Sequence, residues 1–163
     1  MKKFLAIFIF FYYGSFTNNV KASCNFKTGN YINELSIPNS IKSIDIKLNN
    51  PKKYVINSFR TLLSNSIHID KKYKKKFKAN IQVNYEFGSC IYKGKIWQNG
   101  DWKDHIDYDN DKIKRSLNVK LEDGNILNAT KFKLFIPETR NNHNEILGTL
   151  ILKSLGFITP ETF

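Results

Sequence analysis

The sequence has 163 residues, of which 41% are hydrophobic and 25% are charged, and its formal net charge at pH 7 is +12. This length suits one small domain with a single core rather than several domains. The positive charge predicts an anionic partner such as nucleic acid, acidic polysaccharide, phosphate groups or an envelope surface. Codon bias is the alternative, because Lys, Asn and Ile are abundant and Arg is rare, as in an AT-rich bacterial genome.

Residues 1–22 have the pattern of a secretory signal peptide. Two lysines at the start precede an apolar run over residues 4–13, which is too short to span a bilayer as a helix, and Ala22 is a small residue suited to cleavage. Cleavage after Ala22 removes Lys2, Lys3 and Lys21 and lowers the formal charge from +12 to +9. The sequence therefore predicts a periplasmic or secreted protein with no transmembrane span after cleavage. An uncleaved anchor and a lipoprotein acylated at Cys24 are the alternatives.

Cys24 and Cys90 are the only cysteines. In an oxidising compartment an even pair favours a disulfide, and we predict one between these two residues. The alternative is two separate thiols. Because the two cysteines are far apart in sequence, they do not have the spacing of metal ligands.

A polar segment with little periodicity, residues 23–42, is predicted to be a loosely ordered arm. Residues 43–163 are predicted to form one α+β domain that is truncated at its C-terminus. The predicted elements are strands at 44–48, 81–87, 90–96, 117–121 and 132–136, a helix from Pro51 to about Ser64, and a helix at 146–155 that ends before Gly156. They correspond to an antiparallel twisted sheet of about five strands with two amphipathic helices packed on it.

Three local details complete this prediction. Asn50 and Pro51 are a cap and a first-turn residue for the first helix. Its apolar stripe is predicted to face the core and consists of Tyr54, Val55, Ser58, Phe59, Leu62 and Leu63. Gly88 and Ser89 are predicted to form the tight turn of a hairpin.

The strongest charge run is a candidate anion-binding or membrane-surface patch. It consists of Lys71, Lys72, Lys74, Lys75, Lys76 and Lys78. The alternative is a solvated loop or short helical turn that Tyr73 and Phe77 hold in place. Because no aromatic platform or RNA-binding motif accompanies these lysines in the sequence, nucleic acid is not predicted as a partner.

An acidic cluster lies at residues 104–111 with His105. Its middle matches the opening of a calcium loop, but Lys112 replaces the required Gly and Asn118 replaces the bidentate Glu. We therefore predict a solvated acidic turn rather than a metal site, with an irregular calcium site as the alternative. The sequence contains neither a nucleophile elbow nor a glycine-rich phosphate loop, so no catalytic residue is predicted.

Four segments together resemble a known family. They are a loop at 95–102, a basic strand at 115–121, a second strand at 131–136, and a helix with its exit at 145–156 and 159–162. In this order they are similar to the N-terminal half of the CotH-like atypical kinases, which are secreted or spore-coat relatives of the protein-kinase fold. Two departures are the Gln98-Asn99-Gly100 order, where the family has Arg-Gly-Asn, and Glu161, where Arg is common.

The resemblance implies an atypical kinase N-lobe in which Lys120 or Lys133 contacts phosphates as a point charge. The second half of the family's proteins supplies the catalytic and metal-binding acids, and this sequence has no counterpart to that half. The resemblance therefore implies an exported phosphotransferase lobe that is inactive alone, with ATP and Mg²⁺ as cofactors only if the resemblance holds. The alternative function is a non-catalytic secreted module that binds anionic polymers or surfaces through the lysines at 71–78.

Overall fold

The structure is a computed structural model that describes residues 22–26, 35, 37, 40–140, 143–160 and 162. Apart from Ala22, the predicted signal peptide lies outside the described residues. The elements in chain order are β1 (Ser23–Phe26), β2 (Ile41–Leu48), α1 (Pro51–Leu62), β3 (Phe77–Tyr85), β4 (Gly88–Gln98), β5 (Ile106–Asp109), β6 (Lys112–Arg115), β7 (Leu117–Leu121), β8 (Lys131–Leu134) and α2 (Asn144–Ser154). Short 3₁₀ turns lie at Lys71–Tyr73, Lys103–His105 and Pro137–Arg140.

The main sheet is antiparallel and has the strand order β2-β3-β4-β7-β8. This path of five strands confirms the predicted α+β class and the predicted antiparallel sheet. A sixth strand, β1, pairs with the first half of β4 on the edge whose second half pairs with β7. The segment predicted as a loosely ordered arm, residues 23–42, thus includes β1 and the first two residues of β2. Strands β5 and β6 form a separate hairpin.

The alternation of apolar and polar residues determines which face of the sheet is buried. In β3 the residues at 79, 81, 83 and 85 are buried, and the intervening residues are not. The buried core consists of Ala79, Ile81, Val83, Tyr85, Phe87, Cys90, Tyr92, Ile96, Val119, Leu121 and Ile126. The opposite face of the same strands is polar and solvent-accessible, and its side chains form the candidate site.

The predicted disulfide is present between Cys24 and Cys90. The two residues are directly opposite each other in the β1–β4 pairing. The bridge therefore attaches the first described strand to the central strand of the sheet, and Cys90 itself lies in the core at 1% exposure.

Helix α1 begins as predicted, but it buries a different face. Asn50 caps the helix, since its side-chain oxygen accepts a hydrogen bond from the Lys53 backbone N–H at 3.1 Å. The buried residues are Asn57, Ser58 and Thr61. The predicted apolar stripe is wrong for Val55, Phe59 and Leu63, which are exposed. The physical reason is that α1 lies over a polar cluster, described below, in which Ser58 accepts a hydrogen bond from Arg115. The Asn57 and Thr61 side chains donate to backbone oxygens, so they are satisfied where they are buried.

The hairpin between β3 and β4 turns two residues earlier than predicted. Tyr85 pairs with Gly88, so Glu86 and Phe87 form the turn and Gly88 already belongs to β4. Phe87 is 4% exposed, and its ring stacks on Tyr85 with centroids 5.1 Å apart. The prediction of a Gly88-Ser89 turn was wrong because burial of the Phe87 ring outweighs the local turn preference of glycine.

Helix α2 ends at Ser154, one residue before the predicted end, and Gly156 terminates it as predicted. Gly156 has a φ of +84°, its N–H donates to the Lys153 carbonyl at 3.1 Å, and the Phe157 N–H donates to the Leu152 carbonyl at 3.1 Å. This pair of hydrogen bonds is the Schellman arrangement, which favours glycine because the residue is left-handed.

The predicted packing of α2 on the sheet is wrong. No residue of α2 is buried, and the core cluster contains none of its side chains. The exposed apolar residues of α2 and its exit are Leu147, Leu150, Ile151, Leu152, Leu155, Phe157 and Ile158. The core is already filled by side chains of the strands and their connections, so the sheet does not need this helix as a cover. Over the described residues, both helices fall short of the length and apolarity that a bilayer crossing requires.

Candidate functional site

Strand pairing gathers lysines from distant parts of the chain on the exposed face of the sheet. Lys78 lies opposite Lys95, Lys95 opposite Lys120, and Lys120 opposite Lys131. One lysine from each of the neighbouring strands β3, β4, β7 and β8 thus forms a row across the sheet, which we call the lysine row. Adjacent strands lie about 4.8 Å apart, so the row extends over roughly 14 Å.

Further lysines surround the lysine row on the same face. Lys47 of β2 lies opposite Asn80, and Asn80 lies opposite Lys93. On the other side of the row, Lys133 lies opposite Asn118. We call the whole set the basic face, and it consists of Lys47, Lys76, Lys78, Lys93, Lys95, Lys120, Lys131 and Lys133.

An aromatic ring lies within the basic face. Trp97 is two residues beyond Lys95 on β4 and points to the same side of the sheet, where it lies opposite Asn118. The ammonium of Lys76 is 5.2 Å from the centre of its ring, and that of Lys131 is 5.8 Å away. Both distances are within the range of a cation–π interaction, so the ring draws two lysine side chains toward itself.

Among the described residues, two carboxylates accompany these lysines. Glu122 forms an ion pair with Lys95, and Asp45 accepts a hydrogen bond from Asn84 at 2.6 Å on the outer strands. The hydrogen bond from Lys95 lowers the pKa of Glu122, and the charges of Lys78 and Lys120 act in the same direction. The face therefore keeps a strong excess of positive charge at neutral pH.

The predicted lysine patch at 71–78 is divided by the fold. Lys76 and Lys78 join the basic face, because the chain enters β3 at Phe77. Lys71 and Lys72 lie in a 3₁₀ turn, where Lys72 pairs with Asp70 at 3.2 Å. Lys74 pairs with Asp101, and Lys75 is exposed. The structure thus brings part of this patch together with Lys120 and Lys133, the two lysines that the family resemblance indicated.

Most of the acidic cluster at 104–111 lies in the β5–β6 hairpin, and Asp104 and His105 lie in the 3₁₀ turn before it. Asn110 and Asp111 form its turn with φ values of 48° and 59°, and Lys114 pairs with Asp109 at 3.2 Å. The Tyr108 hydroxyl donates to Asp111 at 2.9 Å. Within the part of the chain that the structure describes, no group of three or more His, Cys, Asp or Glu side chains could hold a metal ion.

A second polar site, which we call the Arg115 cluster, is buried under α1. The Arg115 guanidinium donates to the Gln98 side-chain oxygen at 2.5 Å and to the Ser58 hydroxyl at 2.7 Å, and it lies 5.0 Å from the centre of the Tyr54 ring. Gln98 in turn donates to the backbone oxygens of Asn99 at 2.7 Å and of His105 at 2.9 Å. Helix α1, β4 and β6 are thereby joined by side-chain hydrogen bonds.

Arg115 is 8% exposed, and none of the ion pairs among the described residues includes it. Burial lowers the pKa of Arg115, and the neighbouring Tyr54 opposes this effect. Burial also raises the pKa of Tyr54, against the influence of Arg115. Oxygen acceptors and a ring face therefore compensate this buried cation in place of a carboxylate.

His105 extends the buried network. Its Nδ1 and the Ser116 hydroxyl are 3.1 Å apart, and the same hydroxyl accepts from the Ile136 backbone N–H at 3.0 Å. The His105 ring lies directly against Gly100, which has a φ of +81° and no room for a side chain. These contacts attach the 3₁₀ turn at Lys103–His105 and the segment that follows β8 to the Arg115 cluster. His105 therefore has a structural role.

The family resemblance indicated Lys120 and Lys133, whereas no pattern in the sequence singled out Trp97, Lys95 or Lys131 as site residues. The alternation along β4 would have placed Lys95 and Trp97 on one face. The register that aligns this strand with β7 and β8 is a long-range property, and no short pattern in the sequence specifies it. The sequence argument against nucleic acid relied on the lack of an aromatic platform, and Trp97 is an aromatic ring within the basic face.

Comparison of the chain with protein-family models, with curated proteins and with solved structures gave no match in any of the three.

Proposed function

We propose that this protein is an exported, non-catalytic module that binds anionic polymers through the basic face. The observation that carries the proposal is the lysine row. Like charges directly opposite on neighbouring strands destabilise a sheet. An anionic chain laid across the strands relieves this repulsion at every position of the row, and it releases its own counterions as it does so.

The geometry of the basic face suits a polymer better than a small anion. The lysines are point charges on flexible stems, and they are spread over five strands on an open face of the sheet. An open depression lined by Asn25, Phe26, Asn84, Tyr85, Gly88 and Ser89 lies at the other end of β4, away from these lysines. An extended ligand can contact successive lysines as it crosses the strands.

Export is part of the proposal, and two features support it. The first is the signal-peptide pattern of residues 1–22. The second is the disulfide between Cys24 and Cys90, because such bridges persist in oxidising compartments such as the periplasm and the extracellular space. The protein would then meet anionic polymers of the envelope or of the surroundings.

The test compares two triple variants that lose the same charge. Lys78→Gln, Lys120→Gln and Lys131→Gln together remove most of the lysine row. The control changes Lys52, Lys53 and Lys112 to Gln, which are exposed lysines on α1 and β6. Binding of inorganic polyphosphate is measured by titration at several salt concentrations.

We expect the row variant to lose affinity by roughly 100-fold at low salt, with a shallower salt dependence, and the control to stay within about three-fold of the wild type. Equal losses in the two variants would mean that net charge alone attracts the polymer, and the proposed site would be wrong.

A second candidate is the N-terminal lobe of a CotH-like phosphotransferase. The observation in its favour is that Lys120 and Lys133 lie on the same face of an antiparallel sheet in an α+β fold. Transfer of phosphate also requires bridging metal ions and an acid that positions the acceptor. We therefore expect no transfer of radiolabel from ATP with Mg²⁺ or Mn²⁺ by this chain alone. Turnover that is lost in Lys120→Ala would favour this second candidate.

A further inference from the structure

The basic face contains two parallel rows with different chemistry. The lysine row carries an ammonium on each of its four strands. Two residues away from these lysines, the second row consists of Lys76, which directly precedes β3, and of Trp97, Asn118 and Lys133 on β4, β7 and β8. Same-face neighbours along a strand are about 6.7 Å apart, so a line of charge runs beside a line with an aromatic ring and an amide at its centre.

Trp97 is not needed on this face for stability of the core. The core side of β4 is occupied by Tyr92, Ile96 and other buried residues, whereas Trp97 points outward and is partly exposed. Its contacts there are with the ammonium groups of Lys76 and Lys131. A large flat ring on a solvent-facing surface, next to two lysine ammonium groups, is suited to stack on a flat group of an anionic ligand.

We infer that the preferred polymer is a single-stranded nucleic acid, whose phosphates follow the lysine row while a base stacks on Trp97. Proteins that bind single strands without sequence preference combine these two elements, a positive surface along the backbone and an aromatic ring for the bases. This inference rests on the proposed function and adds the class of ligand to it.

The second row argues against two other polyanions. Bases in a duplex are already stacked on one another, so a duplex offers phosphates to the lysine row but no base to Trp97. An acidic polysaccharide also supplies charge, but its saturated rings can contact Trp97 only through their C–H groups. Among these three ligands, only an unpaired strand offers a flat π-face to Trp97.

The experiment uses the full oxidised protein and three ligands that carry the same charge. They are a thymidine 12-mer, an abasic 12-mer with the same backbone, and inorganic polyphosphate. We expect the thymidine 12-mer to bind roughly ten-fold more tightly than the other two, which corresponds to about 1.4 kcal/mol, because one of its bases stacks on Trp97. Trp97→Leu should remove this difference, and Trp102→Leu, at an exposed tryptophan away from the sheet, should keep it.

Fluorescence gives a readout that does not depend on a change at Trp97. The chain has two tryptophans, so Trp102→Phe leaves Trp97 as the only one. We expect the thymidine 12-mer to quench its emission and the abasic 12-mer to leave most of it unchanged.

The remaining outcomes separate this inference from the proposed function. Equal affinity for the thymidine and abasic strands would overturn the inference, and the proposed function would stand if polyphosphate binding still depends on the lysine row. Tighter binding of polygalacturonate than of the thymidine strand at equal charge would also overturn it, in favour of acidic polysaccharide. If none of these polyanions binds, both proposals are wrong.

Discussion

Arg115 and Lys120 belong to the same short basic segment, yet they lie in opposite environments. Arg115 is 8% exposed and donates to Gln98 and Ser58, whereas Lys120 is exposed and lies between two other lysines. Removing the first cation leaves buried acceptors without a donor. We expect removal of the second to leave the fold intact and to weaken the proposed attraction for anions. In this proposal, burial decides whether a positive charge contributes to stability or to binding.

The two regions are attached to the same strand. Gln98 belongs to the Arg115 cluster on the core side of β4, while Lys95 and Trp97 belong to the basic face on the other side. Strand β4 therefore connects the Arg115 cluster, and through it α1, to the basic face. Substitutions in the Arg115 cluster should alter the free energy of unfolding, whereas substitutions in the basic face should alter the affinity for anions. Experiments should therefore distinguish the two sets of substitutions.

The largest effect should come from the disulfide. Replacing Cys24 and Cys90 together by Ser should lower the free energy of unfolding by about 4 kcal/mol, because the bridge closes a loop with a sequence separation of 66. Polyphosphate affinity of the folded variant should stay unchanged, since the lysine row pairs through the other half of β4. Urea denaturation and titration measure the two quantities, and a loss of affinity in the folded variant would contradict the separation.

Arg115→Met should destabilise the protein by roughly 2–4 kcal/mol, because the buried oxygens of Gln98 and Ser58 lose their donor. Arg60→Met, at an exposed position in the last turn of α1, is the matched control and should change stability by less than about 0.5 kcal/mol. Urea denaturation measures both variants. Similar values for the two would show that the Arg115 cluster does not stabilise the fold.

Lys120→Gln should leave the urea midpoint almost unchanged and reduce the affinity for a single strand. The slope of log affinity against log salt should become shallower by about 0.7, the value expected for one lost phosphate contact. Lys52→Gln on α1 removes the same charge from an exposed position and should keep the wild-type slope. A large shift of the urea midpoint in Lys120→Gln would show that this lysine stabilises the fold, contrary to the prediction.

The smallest effect concerns Glu122. The Lys95 hydrogen bond lowers the pKa of Glu122, so the carboxylate is ionised at neutral pH and offsets part of the basic face. Glu122→Gln should raise polyphosphate affinity about two-fold at pH 7, which is the scale of one exposed ion pair. Glu86→Gln, at the β3–β4 turn, is the control.

Protonation of Glu122 should change the affinity for polyphosphate in a direction that its lowered pKa predicts. A lowered pKa means that the stabilisation from the Glu122–Lys95 pair is present above the pKa of the unfolded chain and is lost as the pH falls through the folded value. Over that acidic interval the wild type should gain affinity for polyphosphate and approach the Glu122→Gln variant. An affinity difference that persists after Glu122 is protonated would contradict this cause.

The strands and the helix ends could be predicted because their sequence signals are local. The alternation at 81–85 specifies a strand with one buried face, and the cap at Asn50 and the glycine at 156 mark helix ends. The disulfide could also be predicted, because two thiols allow only one bridge.

The local signals were insufficient where a side chain's partner is distant in sequence. The apolar stripe of α1 was predicted to face the core, but Arg115 and Gln98 draw its polar side to the interior. The turn at 86–87 depends on burial of Phe87, which packs on Phe26 with ring centroids 5.6 Å apart. In both cases the decisive contact joins segments that only the folded chain brings together.

The sequence by itself determined which residues alternate, which helix ends are capped, how many cysteines can pair and how much positive charge the chain carries. The tertiary structure alone decided which lysines become neighbours. Register between β3, β4, β7 and β8 aligns Lys78, Lys95, Lys120 and Lys131 and leaves Trp97 beside them. The physical reason is that register follows from burying one whole face of every strand at once, and this requirement involves the entire sheet.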